Sequence, residues 1–280
     1  LGTGTNIESA AKGRGQIVLW TDVDLYAMQF TGPPFTFSFQ QLGEASGTIS
    51  KNSPAMIEGA AFWMGTNNFY SYDGAVKTLK CPVLNHVFNS FNQVQREKVF
   101  SAEIIEFNEI WWFYPALGST EVNKYVIYNY IDNTWSIGSM DRTSWHDAGI
   151  YTYPMGSDST GKSYNQEYGV NAGYGVAMDA SVETGFFSGD ENGDNIIFIN
   201  KIVPDTYFGT GTTVKFQMKS KRYPNDTETT KGPYSITNTT NKLNLRTRGR
   251  SFQCKWYTDA TDVSWRLGTW RAQGQADGTR

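Results

Sequence analysis

The sequence predicts an all-β protein, with propeller-type blades over residues 16–180 and a β-sandwich-like module over residues 181–280. Three observations predict it. A tryptophan-bearing apolar strand, a polar turn and a tyrosine-bearing strand recur as a unit. Successive copies start roughly 40–50 residues apart, the spacing of propeller blades rather than of helical repeats. Aromatic residues make up 15% of the chain, including 9 Trp and 16 Tyr, side chains that favour pleated surfaces and pack their flat faces together. Finally, no segment sustains the 3.6-residue period of an amphipathic helix.

Residues 1–15 are small and glycine-rich and read as a linker or the edge of an earlier blade. The first copy follows as Ile17-Val18-Leu19-Trp20 and Leu25-Tyr26-Ala27-Met28. The second is Ala61-Phe62-Trp63-Met64 and Phe69-Tyr70-Ser71-Tyr72, and the third Ile110-Trp111-Trp112-Phe113-Tyr114 and Tyr125-Val126-Ile127-Tyr128. A fourth, weaker copy runs through Lys162-Ser163-Tyr164 and Glu167-Tyr168, making about four visible blades. Gly32-Pro33-Pro34 and Lys51-Asn52-Ser53-Pro54 break strands and mark loops. Residues 97–103 are expected to form one helical turn.

From about Asp179 the texture changes to Thr- and Lys-rich strands. Val214, Phe216 and Met218 alternate with polar residues, as do Phe252, Cys254 and Trp256, which is the pattern of strands buried on one face. Residues 263–267 alternate similarly. The Thr- and Asn-dense stretch 226–241 is expected to be a long exposed loop, and residues 273–280 to fray.

Charged residues are only 18% of the chain, which fits a protein that buries surface against copies or partners. Residues 1–200 hold 10 Lys+Arg against 21 Asp+Glu, while residues 201–280 hold 14 against 6. The plain reading is two domains with different solvated faces; the sharper one is head-to-tail docking between complementary fields. No apolar run approaches the 18 residues of a membrane-spanning helix. The start, Leu1-Gly2-Thr3-Gly4, has neither a methionine nor a secretory signal pattern, and the chain is expected to be a fragment or a processed product. Cys81 and Cys254 do not make a disulfide framework, and His86 and His146 alone cannot build a histidine-rich metal site.

Five patterns carry candidate chemistry. Residues Gly156-Ser157-Asp158-Ser159-Thr160-Gly161-Lys162-Ser163 match the phosphate-binding P-loop pattern. That mechanism needs a helix starting at once, and the glycines from Gly169 onward cannot sustain one, so a hairpin loop is expected. Asp190, Asn192 and Asp194 occupy the first, third and fifth positions of a calcium loop. Asn195 stands where the loop wants glycine and Lys201 where it wants a bidentate glutamate, so a turn is expected there too. Ser144, His146 and Asp147 are the residue types of a hydrolytic triad, but triads are assembled in space rather than from sequence neighbours. Ser139 to Trp145 resembles the Asp-box turn of sialidase propellers, without its glycine and one residue short before the tryptophan. The cluster Arg246-Thr247-Arg248-Gly249-Arg250 is a candidate for phosphate pairing, set against an acidic remainder. No catalytic, cofactor-binding or metal-ligating residue is assigned from these patterns.

Several segments taken together resemble bacteriophage virion proteins. They are Gly15-Gln16-Ile17-Val18-Leu19-Trp20-Thr21-Asp22, then Leu25 through Pro34, then Asn108-Glu109-Ile110-Trp111-Trp112-Phe113-Tyr114. Tyr125-Val126-Ile127-Tyr128-Asn129-Tyr130 belongs with them, as does the ending with Arg248-Gly249-Arg250, Trp265-Arg266-Leu267-Gly268 and Asp277-Gly278-Thr279-Arg280. They resemble the C-terminal part of β-propeller tail proteins of short-tailed phages, the nozzle or head-completion class. The resemblance implies a subunit of a ring, expected to be a hexamer, around the genome-ejection channel. It further implies adaptor and fibre subunits as neighbours, transient contact with phage DNA, location in the virion tail, and neither catalysis nor cofactor. The rival readings are a carbohydrate- or receptor-binding propeller module, a glycoside hydrolase and, last, a nucleotide hydrolase.

Overall fold

The structure is a computed structural model that describes residues 4, 6–210 and 213–278. Contacts divide the chain into one unit of residues 1–168 and a second of residues 169–280. Both are built almost wholly from antiparallel strands, and the fold class is all-β.

The first unit is a series of up-and-down sheets. Strands β1 (Ile7–Lys12), β2 (Ile17–Thr21), β3 (Leu25–Gly32) and β4 (Thr36–Gly43) form the first sheet in chain order. Strands β5 (Ala55–Ile57), β6 (Ala60–Met64), β7 (Phe69–Tyr72) and β8 (Val76–Thr78) form the second. A short helix, α1 (Leu84–Asn89), leads to the third sheet of β9 (Phe100–Ile104), β10 (Glu109–Tyr114), β11 (Lys124–Asn129) and β12 (Thr134–Ser139). A three-stranded sheet closes the series, with β13 (Ser144–His146), β14 (Met155–Ser157) and β15 (Ser163–Asn165).

The repeat in the sequence is now explained. Its Trp-bearing and Tyr-bearing halves are β2 and β3, β6 and β7, and β10 and β11, the two central strands of each four-stranded sheet. A central strand is buried on both faces, so it reads as a continuous apolar run instead of an alternation. Strand β10 demonstrates this, with Ile110 through Tyr114 all buried.

Aromatic side chains join each sheet to the next. Trp20 of the first sheet meets Trp63 of the second edge to face at 5.8 Å. Phe69 of the second sheet lies 5.0 Å from Trp112 of the third, in a core that also takes Val87 of α1. From the opposite face of β10, Trp111 stacks on Trp145 of the fourth sheet at 5.6 Å. Buried indole N–H groups call for partners, and loops supply two of them, whereas those of Trp20 and Trp145 find none among the described residues. Trp63 donates to the Ser46 carbonyl at 2.8 Å and Trp112 to the Ser53 carbonyl at 3.0 Å.

The second unit holds β16 (Ala180–Glu183), β17 (Phe187–Ser188), β18 (Ile197–Val203), β19 (Thr206–Thr210) and β20 (Val214–Lys221). It continues with β21 (Thr229–Ile236), β22 (Leu243–Gly249), β23 (Ser251–Thr258), β24 (Ser264–Leu267) and β25 (Arg271–Ala276). One sheet runs β16-β23-β20-β21, with β17 also on β23; another runs β22-β18-β25; β19 and β24 form a pair. Phe216, Met218, Cys254 and Trp256 from the first sheet pack with Ile199, Ile202 and Leu245 from the second around one core. Strands β20 and β23 alternate buried and half-buried residues along their whole length, the one-sided burial their sequences predict.

Several expectations change. Residues 7–12 are the outer strand of the first sheet, paired along β2. The expected helical turn at 97–103 is instead the end of a 3-10 segment, Gln93–Lys98, followed by β9, because the backbone of β9 is taken up by β10. In the fourth sheet Ser163 and Tyr164 lie on β15, while Glu167 and Tyr168 lie beyond it. The expected loop 226–241 contains β21, whose Thr-rich run pairs with β20 from Ser220↔Thr229 to Val214↔Ile236. Threonine is β-branched and suits such an outer strand. Residues 273–276, expected to fray, belong to β25, which is held by pairing to β18; Thr279 and Arg280 lie outside the described residues. The unit boundary after Tyr168 precedes the sequence boundary at 180. Asn171 is tied into the second unit, donating to the Asp262 carboxylate at 2.7 Å and accepting from the Asp262 amide at 2.7 Å.

Candidate functional site: an uncharged aromatic face

The β3–β4 hairpin positions the most distinctive surface of the first unit. Pairing places Met28 opposite Phe39 and Phe30 opposite Phe37, and β2 places Ile17 opposite Met28. Directly opposed residues share a sheet face, so these five side chains form one apolar surface. It is the face turned away from the second sheet, since Trp20 and Leu25 on the other face pack against Ala61 and Trp63. Phe30 and Phe37 meet edge to face at 5.8 Å yet remain 71% and 46% exposed. Phe39 is 52% exposed, and Phe35 at the hairpin tip 82%. A hollow of about 590 Å³ on this face is lined by Ile17, Met28, Phe30 and Phe37, with Lys12 of β1, opposite Ile17, as its one charged residue.

Two further properties make the surface unusual. From Leu25 to Gly43 the chain contains no Asp, Glu, Lys, Arg or His. Strand β4 is also the end strand of its sheet, so one row of its backbone groups has no strand partner among the described residues. Proteins ordinarily guard such an edge with charge, proline inside the strand or a covering element. Here the edge carries alternating phenylalanines and neutral polar side chains.

A second cluster, acidic and aromatic, lies where the third and fourth sheets meet. Trp111 stacks on Tyr125 at 4.6 Å and donates its indole N–H to the Glu109 carboxylate at 2.8 Å. Gly138 lies opposite Tyr125, and a Cβ there would collide with the tyrosine ring. Glu103 accepts the Met56 amide at 3.0 Å; burial, with the Asp147 charge adding to it, holds its carboxyl above the usual range. Partial burial, and then the charges of Glu109 and Glu106, raise Glu167 as well. A glycoside hydrolase needs two carboxylates opposed across a cleft. Glu109 and Glu103 are instead bound to structural N–H groups.

The sequence motifs resolve into turns. Residues 158–162 are the loop of the β14–β15 hairpin, as expected. The Asp158 carboxylate occupies the place a phosphate would take, accepting from the amides of Thr160 and Lys162 at 2.9 Å each. It also accepts the Thr160 hydroxyl at 2.7 Å and the Tyr164 hydroxyl at 2.8 Å. These bonds drive its pKa far below the usual carboxylate range. In the calcium-like loop, the Asp190 carboxylate accepts from the backbone amide of Asn195 at 3.2 Å and from its side chain at 2.8 Å. Among the described residues no three His, Cys, Asp or Glu side chains are grouped as metal ligands.

His146 Nδ1 contacts the Asp147 backbone carbonyl at 2.5 Å, while the Asp147 carboxylate accepts the Ala148 and Ile105 amides. Ser144, His146 and Asp147 therefore form no relay. In the segment resembling an Asp-box, Asp141 binds the Ser159 hydroxyl at 2.9 Å and Trp145 packs on Trp111. Arg246 and Arg248 are exposed on alternate positions of β22. Cys81 and Cys254 are free thiols, pushed up by burial to about 11 and about 12.

Sequence reading placed Leu25 to Pro34 in a blade but did not single out its phenylalanines as a surface. The available signal was the stretch without charge.

No protein-family model matches the chain, and no curated protein matches it. Among solved structures it is similar to a protein titled glycoside hydrolase, at 10% identity and a TM-score of 0.29, over 92% of this chain and 82% of that one. It is also similar to the extracellular domain of a one-component system from B. thetaiotaomicron, at 6% identity and a TM-score of 0.24, over 88% of this chain and 53% of that one. Scores this low bear on neither fold nor activity.

Proposed function

We propose that this chain is a structural subunit of a phage tail, of the nozzle or tube class, which joins copies of itself into a ring around the path of the genome. The observation that carries the reading is the uncharged aromatic face on β2, β3 and β4. A face with four exposed phenylalanines and no charge over 19 successive residues is built to be covered by protein. Head-to-tail contacts close into a ring when the rotation per subunit divides a full turn, and six is the order implied by the resemblance. The N-terminal and central segments of that resemblance fall on β2, β3, β10 and β11, the sheet-stacking strands, and its ending falls on the second unit, around the β22–β23 turn and on β24. Adaptor and fibre subunits are the expected neighbours, the virion tail the expected location, and the role is structural rather than catalytic.

The test is a reconstruction of the native particle by electron microscopy. A six-fold ring on the tail axis, with the β3–β4 hairpin inside a contact between neighbours, is the expected result. A peripheral copy with the hairpin facing solvent overturns the proposal. A saccharide preference on a glycan array would then move the chain to the receptor-binding class.

A further inference from the structure

The second unit carries a surface of the opposite character. Two adjoining hollows, of about 650 and 570 Å³, share Lys231 of β21 and Arg246 of β22 in their linings. Lys201 of β18 lines the first, and Lys221, Arg222 and Arg248 line the second. Two of these cations are engaged: Lys221 binds Glu228 at 3.1 Å and Arg248 binds Asp277 at 2.6 Å. Lys201, Arg222, Lys231 and Arg246 make no ion pair with any described residue. The one carboxylate in the lining, Asp226, accepts the Tyr223 amide at 3.1 Å. Asn200, Asn244, Gln273, Thr227 and Thr229 supply neutral hydrogen-bonding groups between the cations.

Four unpaired cations gathered in one groove repel one another, and an anion relieves that repulsion. The lining also narrows the class of anion. A docked acidic protein would need an apolar centre within its polar rim, because the cores of protein interfaces are depleted of charge. This groove presents cations, amides and hydroxyls, with Leu245, Phe198 and Tyr234 as its larger apolar parts. Outward residues of a strand recur about every 6.8 Å, so Asn244, Arg246 and Arg248 form a row of polar heads along β22. A row of cations and hydrogen-bond donors without base-reading geometry suits a repeating phosphodiester.

We infer that the groove between β21 and β22 binds the phosphodiester backbone of nucleic acid, without sequence preference, through Lys201, Arg222, Lys231 and Arg246. The inference goes beyond the transient DNA contact of the tail reading, since it assigns equilibrium binding to a surface of the second unit alone and stands if the tail reading fails.

The experiment is fluorescence anisotropy of the full chain with a labelled DNA duplex of random sequence, from 50 to 200 mM salt. Neutralising four phosphates gives a log–log slope of about −3.6, a loss of about 150-fold in affinity over that range. Lys231→Gln with Arg246→Gln should halve the slope and weaken binding at least tenfold at 50 mM salt, with an unchanged circular dichroism spectrum. Lys201→Gln and Arg222→Gln, each tested alone, should each reduce the slope by about 0.9. Lys98→Gln, which removes a cation paired with Glu121 in the first unit, should leave binding unchanged. The inference is overturned by absence of binding at 50 mM salt, or by a slope indifferent to all four groove substitutions. Polyglutamate binding as tightly as DNA would also overturn it and assign the groove to an acidic protein surface.

Discussion

The two units bury their strands in different ways, and the difference explains what each leaves exposed. In the first unit, sheets are stacked face to face, so a central strand such as β10 is covered on both sides and is apolar throughout. In the second unit, β20 and β23 bury alternate residues and turn lysines outward. The first unit holds 10 Lys+Arg against 16 Asp+Glu; the second holds 14 against 11, counting residues 1–168 and 169–280. Stacked units ordinarily end on a polar face, and the outer face of the first sheet departs from this by leaving four phenylalanines exposed. A sandwich closes on itself and is left with a polar exterior, on which charge can be arranged.

The largest expected effect probes double-sided burial. Trp112→Ala removes a fully buried indole between two sheets and should cost about 3–5 kcal/mol in denaturant unfolding. Phenylalanine substitutions sharpen the contrast. The Trp112 N–H is bonded to the Ser53 carbonyl, whereas the Trp256 N–H has no partner among the described residues. Trp112→Phe should therefore cost about 1 kcal/mol more than Trp256→Phe, a gap that would vanish in the same denaturant titrations if hydrogen bonding were irrelevant. Asp24→Ala comes next, at about 2 kcal/mol. This carboxylate is only 2% exposed and accepts the Ala45 amide at 2.8 Å and the Gln41 side chain at 3.1 Å.

A smaller effect concerns pH. The folded chain holds the Glu103 proton more tightly than the unfolded chain does, because burial, and secondarily Asp147, raise its pKa. That contribution favours folding below the usual carboxylate range and is lost as pH rises through the raised value. Glu103→Gln keeps an acceptor for the Met56 amide. It should stabilise the protein at pH 7 by less than about 1 kcal/mol, and by nothing measurable near pH 4. Thermal melts at the two pH values read the difference directly. Smallest for stability is Phe30→Ser with Phe37→Ser, expected within about 0.5 kcal/mol because both rings are already exposed. Its effect should appear in assembly, as loss of higher oligomers by mass photometry; unchanged oligomers would detach this face from self-association.

How much could be read in advance follows from the same physics. The central strands were legible because two-sided burial writes tryptophan and tyrosine into continuous runs. The β20 and β23 alternation was legible because one-sided burial writes a period of two. Strand β21 was not, since threonine and asparagine serve loops and outer strands alike, and only pairing with β20 decides between them. The P-loop match could be discounted from its glycines. That Asp158 itself fills the cradle is a property of backbone geometry, to which the letters give no access. The groove draws cations from β18, β21, β22 and the segment after β20, of which the arginine cluster 246–250 contributes only Arg246 and the already paired Arg248.

The order of strands also sets a timetable for folding. Every sheet of the first unit pairs strands that follow one another along the chain, so each can form as soon as its last strand has been made. The second unit pairs Ala180 with Thr258 and Ile197 with Ala276, contacts that close long loops and form slowly for that reason. During synthesis the first unit can therefore mature sheet by sheet, while the second keeps one pairing edge of β18 open until β25 emerges. A chain cut before β25 would couple a complete first unit to a second unit that lacks the β18–β25 pairing.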